Sequence, residues 1–332
     1  MLTDRFGRHH DSLRISVTDR CNLRCRYCMP EGKVDFLPRR EVLSFEEIER
    51  IAALMMRLGV RKMRLTGGEP LLRRGLPVLV ARLAALPGLA DLGLTTNGLL
   101  LAQHAAALYD AGLRRLNVSL DSLDPETFNN LVRDSSGRGL RRVLDGIMEA
   151  KRIGFRPIKI NAVAISGTTD RELAQLGRLA REWDVEVRFI ELMPLDSEGR
   201  WMRHSVLSAR QIVEALSREV GPLRRRAVSP GDPSPAQEYE FADGCGRIGI
   251  IASVTEPFCS RCNRLRIAAN GRFRYCLFAL EDLDVRALLR SGGTDEEIEH
   301  AVRTWVTRKW EGHQINADEF IRPPQPMHVL GG

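Results

Sequence analysis

One alternation limits this chain's folding more than any other feature. A short apolar, β-branched stretch is followed by a longer amphipathic one, and the pair recurs six times. The strand-like stretches are "LRISVTD" (13–19), "MRLTGGEP" (63–70), "LGLTTNG" (92–98), "RLNVSLD" (115–121), "IKINAVAIS" (158–166) and "EVRFIELMP" (186–194). Helical patterns occupy 44–59, 75–86, 100–112, 139–154 and 171–183. Ser44 and Glu47 have capping-box spacing, and Gly59 can close that helix. Repeated β-then-α units imply a parallel sheet with right-handed crossovers. Six units fall two short of a closed eight-stranded barrel, which predicts an open, partial TIM-like (βα)6 barrel. Periodicity alone leaves a doubly wound sheet as the alternative. Both architectures gather chemistry at the C-terminal strand ends. There lie Gly67-Gly68-Glu69, Thr95-Thr96-Asn97, Ser119 with Asp121, and Glu191 with Met193.

Beyond these units, "SPGDPSPAQEYEF" (229–241) reads as a loop or linker. It divides the chain into a partial barrel at 1–228 and a smaller α+β region at 242–332. In the latter, "GRIGIIAS" (246–253) reads as a strand, and "RLRIAANGRFRYC" (264–276) as a hairpin turning at Asn270-Gly271. Residues 294–309 read as a helix, with Thr294 and Glu297 again at capping-box spacing.

Seven cysteines sit in two groups of three with one left over. The odd count argues against full disulfide pairing, and clustering favours metal. No apolar run reaches the ~20 residues of a membrane span, and the N-terminus lacks a secretory h-region, so a cytosolic protein is expected. Cys21-x3-Cys25-x2-Cys28 directly follows the first strand. Three thiolates on one loop can hold three irons of a 4Fe-4S cluster and leave the fourth open, as a catalytic centre requires. A zinc site borrowing a distant fourth ligand is the alternative. The second group, Cys259-x2-Cys262-x13-Cys276, encloses Arg264 and Arg266. An extended 262–266 would turn Cys262, Arg264 and Arg266 to one face. The net charge is +7 and mostly arginine, and arginines clustered at strand ends favour a phosphorylated ligand. Nucleic acid is disfavoured, because aromatics are only 6% of the chain.

The first triad, with Tyr27 before its last cysteine and Gly67-Gly68-Glu69-Pro70 after the second strand, resembles the radical S-adenosylmethionine superfamily. The second triad narrows the resemblance to the GTP 3′,8-cyclases of molybdenum cofactor biosynthesis. Matching strings run in order along nearly the whole chain: "LRISVTDRCNLRCRYCMP", "RLTGGEPLLR", "LTTNG", "LNVSLDSLD", "KINAVAISG", "RFIELMP", "FCSRCNRLR" and the terminal "GG". The resemblance implies two 4Fe-4S clusters, each on three cysteines, and S-adenosylmethionine held by Tyr27, Gly67, Gly68, Glu69, Ser119 and Met193. It implies GTP contacts from Arg14, Arg64, Thr95, Lys159, Arg264, Leu265 and Arg266, with Lys62 and Arg188 as further candidates. A 5′-deoxyadenosyl radical would take hydrogen from C3′ of GTP, and no single protein acid or base is assigned. The Gly331-Gly332 tail would reach into the site. Implied partners are cyclic pyranopterin monophosphate synthase downstream and a reductant such as flavodoxin or ferredoxin; the chain would be a monomer or homodimer.

Two rival readings stand beside this one. A radical peptide modifier with auxiliary clusters would carry more C-terminal cysteines. A zinc-stapled scaffold would use Cys245, fourteen positions before Cys259, as a fourth thiolate.

Overall fold

In the computed structural model, residues 1–196, 198–227, 229, 232–323 and 325–331 are described. The six units form as expected. They are β1 (Ser12–Ser16) and α1 (Phe45–Arg57); β2 (Lys62–Thr66) and α2 (Leu76–Ala84); β3 (Asp91–Thr96) and α3 (Leu101–Asp110); β4 (Arg115–Ser119) with α4 (Pro125–Val132) and α5 (Gly139–Ile153); β5 (Ile158–Ala164) and α6 (Leu173–Glu182); and β6 (Glu186–Glu191) with α7 (Ala209–Glu219). Ser44 accepts from the Glu47 amide while the Glu47 carboxylate takes the Ser44 amide, so the capping box is complete. Such a cap contributes about 1 kcal/mol. Ile48, Ile51, Ala52 and Met55 recur at helical spacing along α1 and are buried.

The strand order decides between the two sheet architectures. β1 to β6 lie in sequential order, each parallel to the next, with no reversal. A doubly wound sheet reverses its order at a switch point, and this one does not. The sheet is a partial barrel.

The later part of the chain extends this same sheet at both edges. After α7 come β7 (Leu223–Arg225), β8 (Gln237–Phe241) and β9 (Arg247–Ile251), and β9 pairs parallel with β6. Then β10 (Arg264–Ile267) returns to pair parallel with β1, followed by β11 (Arg272–Arg274) and β12 (Leu283–Asp284). α8 (Val285–Arg290), α9 (Asp295–Thr307) and α10 (Met327–Leu330) complete the chain. The predicted hairpin forms, with β10 and β11 antiparallel and Gly271 at φ +77°. The predicted loop at 229–241 needs correction at its C-terminal end. Residues 237–241 form β8 and pair with β9, because Phe241, 1% exposed, is drawn into the core. No helix among the described residues is long and apolar enough to cross a membrane.

Strand alternation sorts the side chains. On β1, Leu13 and Ile15 are buried in the apolar core, while Ser12 and Arg14 turn to a cavity enclosed by the sheet.

Candidate active site

The first triad sits on the loop leaving β1. This loop is locked to the one leaving β2. The Gly68 amide donates to Thr18 O at 2.7 Å and the Glu69 amide to Arg20 O at 2.8 Å. A Cβ on Gly68 would lie 2.4 Å from Arg20 O, and one on Gly67 2.5 Å from Thr18 O. Only glycine allows that approach. The Cys28 amide turns back to Cys25 O at 3.0 Å. All three thiols are free and half-buried. Burial pushes each one up, Cys28 to about 12, and the neighbouring thiols push Cys25 and Cys28 further the same way. Thiols so placed become ligands when a metal centre takes their protons. Among the described residues, no three His, Cys, Asp or Glu side chains close round a single ion. Three free thiols on one loop, within electrostatic reach of one another, are a donor set that fits a multi-iron cluster.

Glu69 is fully buried behind this loop. Its carboxylate accepts from the Leu71 amide (3.0 Å), the Thr96 hydroxyl (2.8 Å) and the Asn97 amide (2.7 Å). Burial lifts it to about 7 despite those donors. Tyr27 donates to Asp121 Oδ2 at 2.7 Å, and Asp121 Oδ1 takes the Val163 amide. Ser119 ends β4, and Met193 follows β6 and borders the cavity.

The cavity measures about 430 Å3. One row of its wall is set by strand register: Arg266 on β10 stands level with Arg14 on β1, and Arg14 with Arg64 on β2. Arg14 has no carboxylate or hydrogen-bond partner among the described residues. Burial lowers its pKa well below the usual guanidinium range, and Arg266, Arg264 and Arg64 lower it further. Arg64 leaves Nη1 buried without a partner and falls to about 10, chiefly through burial. Across the cavity, Lys159 pairs with Glu186 at 2.6 Å, and Arg188 pairs with the same carboxylate. Thr95, Asn117 and Asn161 line the wall between.

Cys259, Cys262 and Cys276 border the same cavity. Cys262 precedes β10, whose first residue is level with Ser12 at the start of β1. The first triad follows the other end of β1, so the two triads lie at opposite ends of the barrel. Burial raises Cys259 and Cys276. At Cys262 burial also acts upward, but the Arg264 guanidinium and the Lys309 ammonium outweigh it and bring the thiol to about 6. Arg264 also lies over the Phe258 ring at 4.6 Å.

Most predicted site residues therefore face one space. Arg14, Lys62, Arg64, Thr95, Lys159, Arg188, Met193, Arg264 and Arg266 border it. Lys62 is exposed and pairs with Asp11 at 3.6 Å. Leu265 departs from expectation. It is fully buried in the apolar core, because alternation turns it away from the face that Arg264 and Arg266 share. Its side chain does not line the cavity. Glu191, at a strand end, accepts from the Ala209, Val254 and Thr255 amides and is structural. Gly331 is buried, and its carbonyl accepts from Arg266 Nη1 at 2.7 Å. Gly332 lies outside the described residues. Cys245 is exposed and does not border the cavity. Sequence reasoning missed Glu186, Arg115, Asn117, Asn161 and Lys309; only the placement of Asn117 and Asn161 at strand positions next to named site residues offered a signal.

Residues 15–180 match the Radical SAM superfamily, and residues 185–315 match Molybdenum Cofactor Synthesis C. The chain is 50% identical to GTP 3′,8-cyclase of Rhodopirellula baltica, over 100% of this chain and 92% of that protein. It is 41% identical to GTP 3′,8-cyclase of Thermodesulfovibrio yellowstonii, over 100% of both. Among solved structures, Streptococcus suis SuiB bound to S-adenosylmethionine superposes with a TM-score of 0.62 at 14% identity, over 98% of this chain and 78% of that one. That likeness concerns the fold.

Proposed function

The chain belongs to the GTP 3′,8-cyclase family of radical S-adenosylmethionine enzymes, and from that premise we propose how its triads and its cavity divide the reaction. When bound, the first cluster and S-adenosylmethionine supply the 5′-deoxyadenosyl radical that takes hydrogen from C3′ of GTP, leading to 3′,8-cyclo-7,8-dihydro-GTP in the first step of molybdenum cofactor biosynthesis.

Cys21, Cys25 and Cys28 hold that cluster. Gly67, Gly68 and Glu69, with Tyr27, Ser119 and Met193, form the S-adenosylmethionine site beside it. Arg14, Arg64, Arg264 and Arg266 hold the triphosphate, joined by Lys159 and by Lys62 and Arg188 at the margins, while Thr95 and the Leu265 backbone border the nucleoside. Cys259, Cys262 and Cys276 would hold a second 4Fe-4S cluster, which would offer a metal site to the guanine. One observation carries this reading: Arg14, Arg64 and Arg266 stand in one row facing the cavity, with no carboxylate among the described residues paired to any of them. Buried like charges repel and cost stability unless an anion joins them. A triphosphate is such an anion and takes arginine bidentately.

Gly331 seats the tail against this row through its carbonyl on Arg266; the part expected of Gly332 falls on a residue outside those described. Cyclic pyranopterin monophosphate synthase takes the product onward, and a flavodoxin or ferredoxin supplies electrons. The test uses anaerobically reconstituted protein with GTP deuterated at C3′. The reading requires deuterium in 5′-deoxyadenosine and roughly eight irons per chain, two clusters' worth. Roughly four irons with deuterium transfer intact would remove the second cluster alone.

A further inference from the structure

Lys309 lies just beyond α9 and is 3% exposed. An ammonium has three N–H donors. All three are aimed at acceptors: Tyr275 O at 2.7 Å, Arg264 O at 3.0 Å and Cys262 Sγ at 3.8 Å. Both carbonyls belong to the stretch between Cys262 and Cys276, so they fix the ammonium against the sulfur.

A second buried cation reaches the same loop. Arg8 donates to Cys259 O and Glu311 O, each at 2.7 Å, and to Trp310 O at 2.5 Å. Its charge is matched, because Asp4 lies 2.6 Å from Arg8 Nε. Lys309 has no carboxylate within ion-pair distance among the described residues. Burial lowers its pKa, and the groups that oppose this by favouring the charged form are Cys262 and Cys276. A buried cation without an anion is costly, so a cation kept in this place points to an anion it serves. Arg264 touches Cys262 from the cavity side, where substrate also has a claim on it. Lys309 does not border the cavity.

We propose that Lys309 is the resident counter-ion of the second triad: it donates an N–H···S hydrogen bond to Cys262 and raises the reduction potential of the cluster that these cysteines hold. This rests on the reading that the triad carries a 4Fe-4S cluster. Hydrogen bonds to sulfur and local net charge are among the quantities that set such potentials. One-electron reduction adds one negative charge to the cluster, and a fixed neighbouring cation stabilises the reduced form more than the oxidised one. Lys309 acts through Cys262 and is a positioning residue.

The test uses the full chain with Cys21, Cys25 and Cys28 all replaced by Ala, so that the second triad is the sole source of signal. After anaerobic reconstitution with iron and sulfide, the midpoint potential is read by EPR-monitored titration with dithionite as reductant. Lys309→Met moves the midpoint to more negative potential at equal iron content, and Lys309→Arg restores most of that shift. Equal midpoints for the parent and Lys309→Met at equal iron content overturn the inference and leave the cluster reading standing. A parent chain that binds no iron–sulfur cluster overturns both. If Lys309→Met fails to hold iron, Lys309→Gln, which keeps N–H donors without the charge, is titrated in its place. Loss of iron from both neutral variants but not from Lys309→Arg supports the counter-ion role. Loss from Lys309→Arg as well overturns it.

Discussion

Arg14 and Arg266 stand level on neighbouring parallel strands, facing one cavity, with no carboxylate among the described residues paired to either. Burial lowers Arg14's hold on its proton and Arg266 lowers it further, while at Arg266 burial and then Arg264 act the same way. Arg266 is partly anchored by the Gly331 carbonyl, whereas Arg14 has no such partner. Arg14→Met therefore separates a binding role from a structural one. Removing a repelled cation leaves the ligand-free protein as stable as before or more so. Losing a charge-assisted contact weakens GTP binding about tenfold to a hundredfold. Calorimetry under anaerobic conditions with GTP and with GMP checks this: an equal loss for both nucleotides would mean that Arg14 does not serve the outer phosphates.

Glu186 plays the opposite part across the cavity, as the carboxylate shared by Lys159 and Arg188. Burial raises its pKa, but these two cations outweigh burial and hold it below the usual carboxylate range. Glu186→Gln leaves Lys159 without a carboxylate among the described residues and Arg188 with only Glu238 at 3.9 Å, and removing one partner of such a buried set costs about 3 kcal/mol or more. Saturating GTP returns part of that loss, because its phosphates supply the missing charge. Denaturant unfolding of the variant with and without GTP measures both effects. A deficit that GTP leaves unchanged would place Lys159 and Arg188 outside the phosphate site.

Much of this was legible in the chain itself, for identifiable reasons. The β/α alternation and the capping boxes at Ser44 and Thr294 are local signals, and the helices start where those caps lie. The shared face of Arg264 and Arg266 followed from period-two alternation, and the same rule turns Leu265 into the core. The row from Arg266 through Arg14 to Arg64 was not legible. It arises because β10 inserts beside β1 from the far end of the chain, and register between distant strands has no local signature. Glu191 looked like chemistry at a strand end, yet three backbone amides claim its carboxylate. Lys309 stood in no motif, and only the folded positions of Arg264, Tyr275 and Cys262 give it a purpose.

Cys245 and Cys276 separate two ways of completing the second triad. Cys245 is exposed between β8 and β9, its amide bonded to Asp243, and it does not border the cavity. Cys276 is half-buried and does border it. Cys245→Ala keeps roughly eight irons per chain, and Cys276→Ala falls to roughly four. Iron and sulfide analysis after reconstitution checks both. Iron loss from Cys245→Ala would make it the fourth ligand and close the site to guanine.

Gly68→Ala tests the lock between the two loops. The added methyl would meet Arg20 O at 2.4 Å, and a backbone carbonyl cannot step aside as a side chain can. The loop carrying Cys21 must shift, while the second triad at the opposite barrel end is untouched. The expected protein keeps its helix content, holds roughly half the irons of the parent and fails to bind S-adenosylmethionine. Wild-type iron content and S-adenosylmethionine affinity in this variant would mean that the close approach of the loops is dispensable.

His10 sets an acid limit on stability. Its ring is 1% exposed, Nε2 lies 3.0 Å from Asp4 Oδ2, and Nδ1 has no partner among the described residues. Burial, followed by the nearby Lys309 ammonium, depresses its pKa from 6.5 to about 4 despite Asp4. The folded-state pKa lies below the unfolded one, so between those values the unfolded chain binds a proton that the native state refuses. The contribution is fully present above about pH 6.5 and is lost as pH falls toward about 4, at up to about 1.4 kcal/mol per pH unit. His10→Gln can still donate to Asp4 but cannot be protonated. The stability difference between parent and variant should therefore be constant from about pH 7 to about pH 8, then narrow by about 2 kcal/mol between about pH 6.5 and about pH 5. Denaturant midpoints of both proteins across that range decide it: parallel curves down to about pH 5 would show that His10 takes up its proton in the native state as readily as in the unfolded chain.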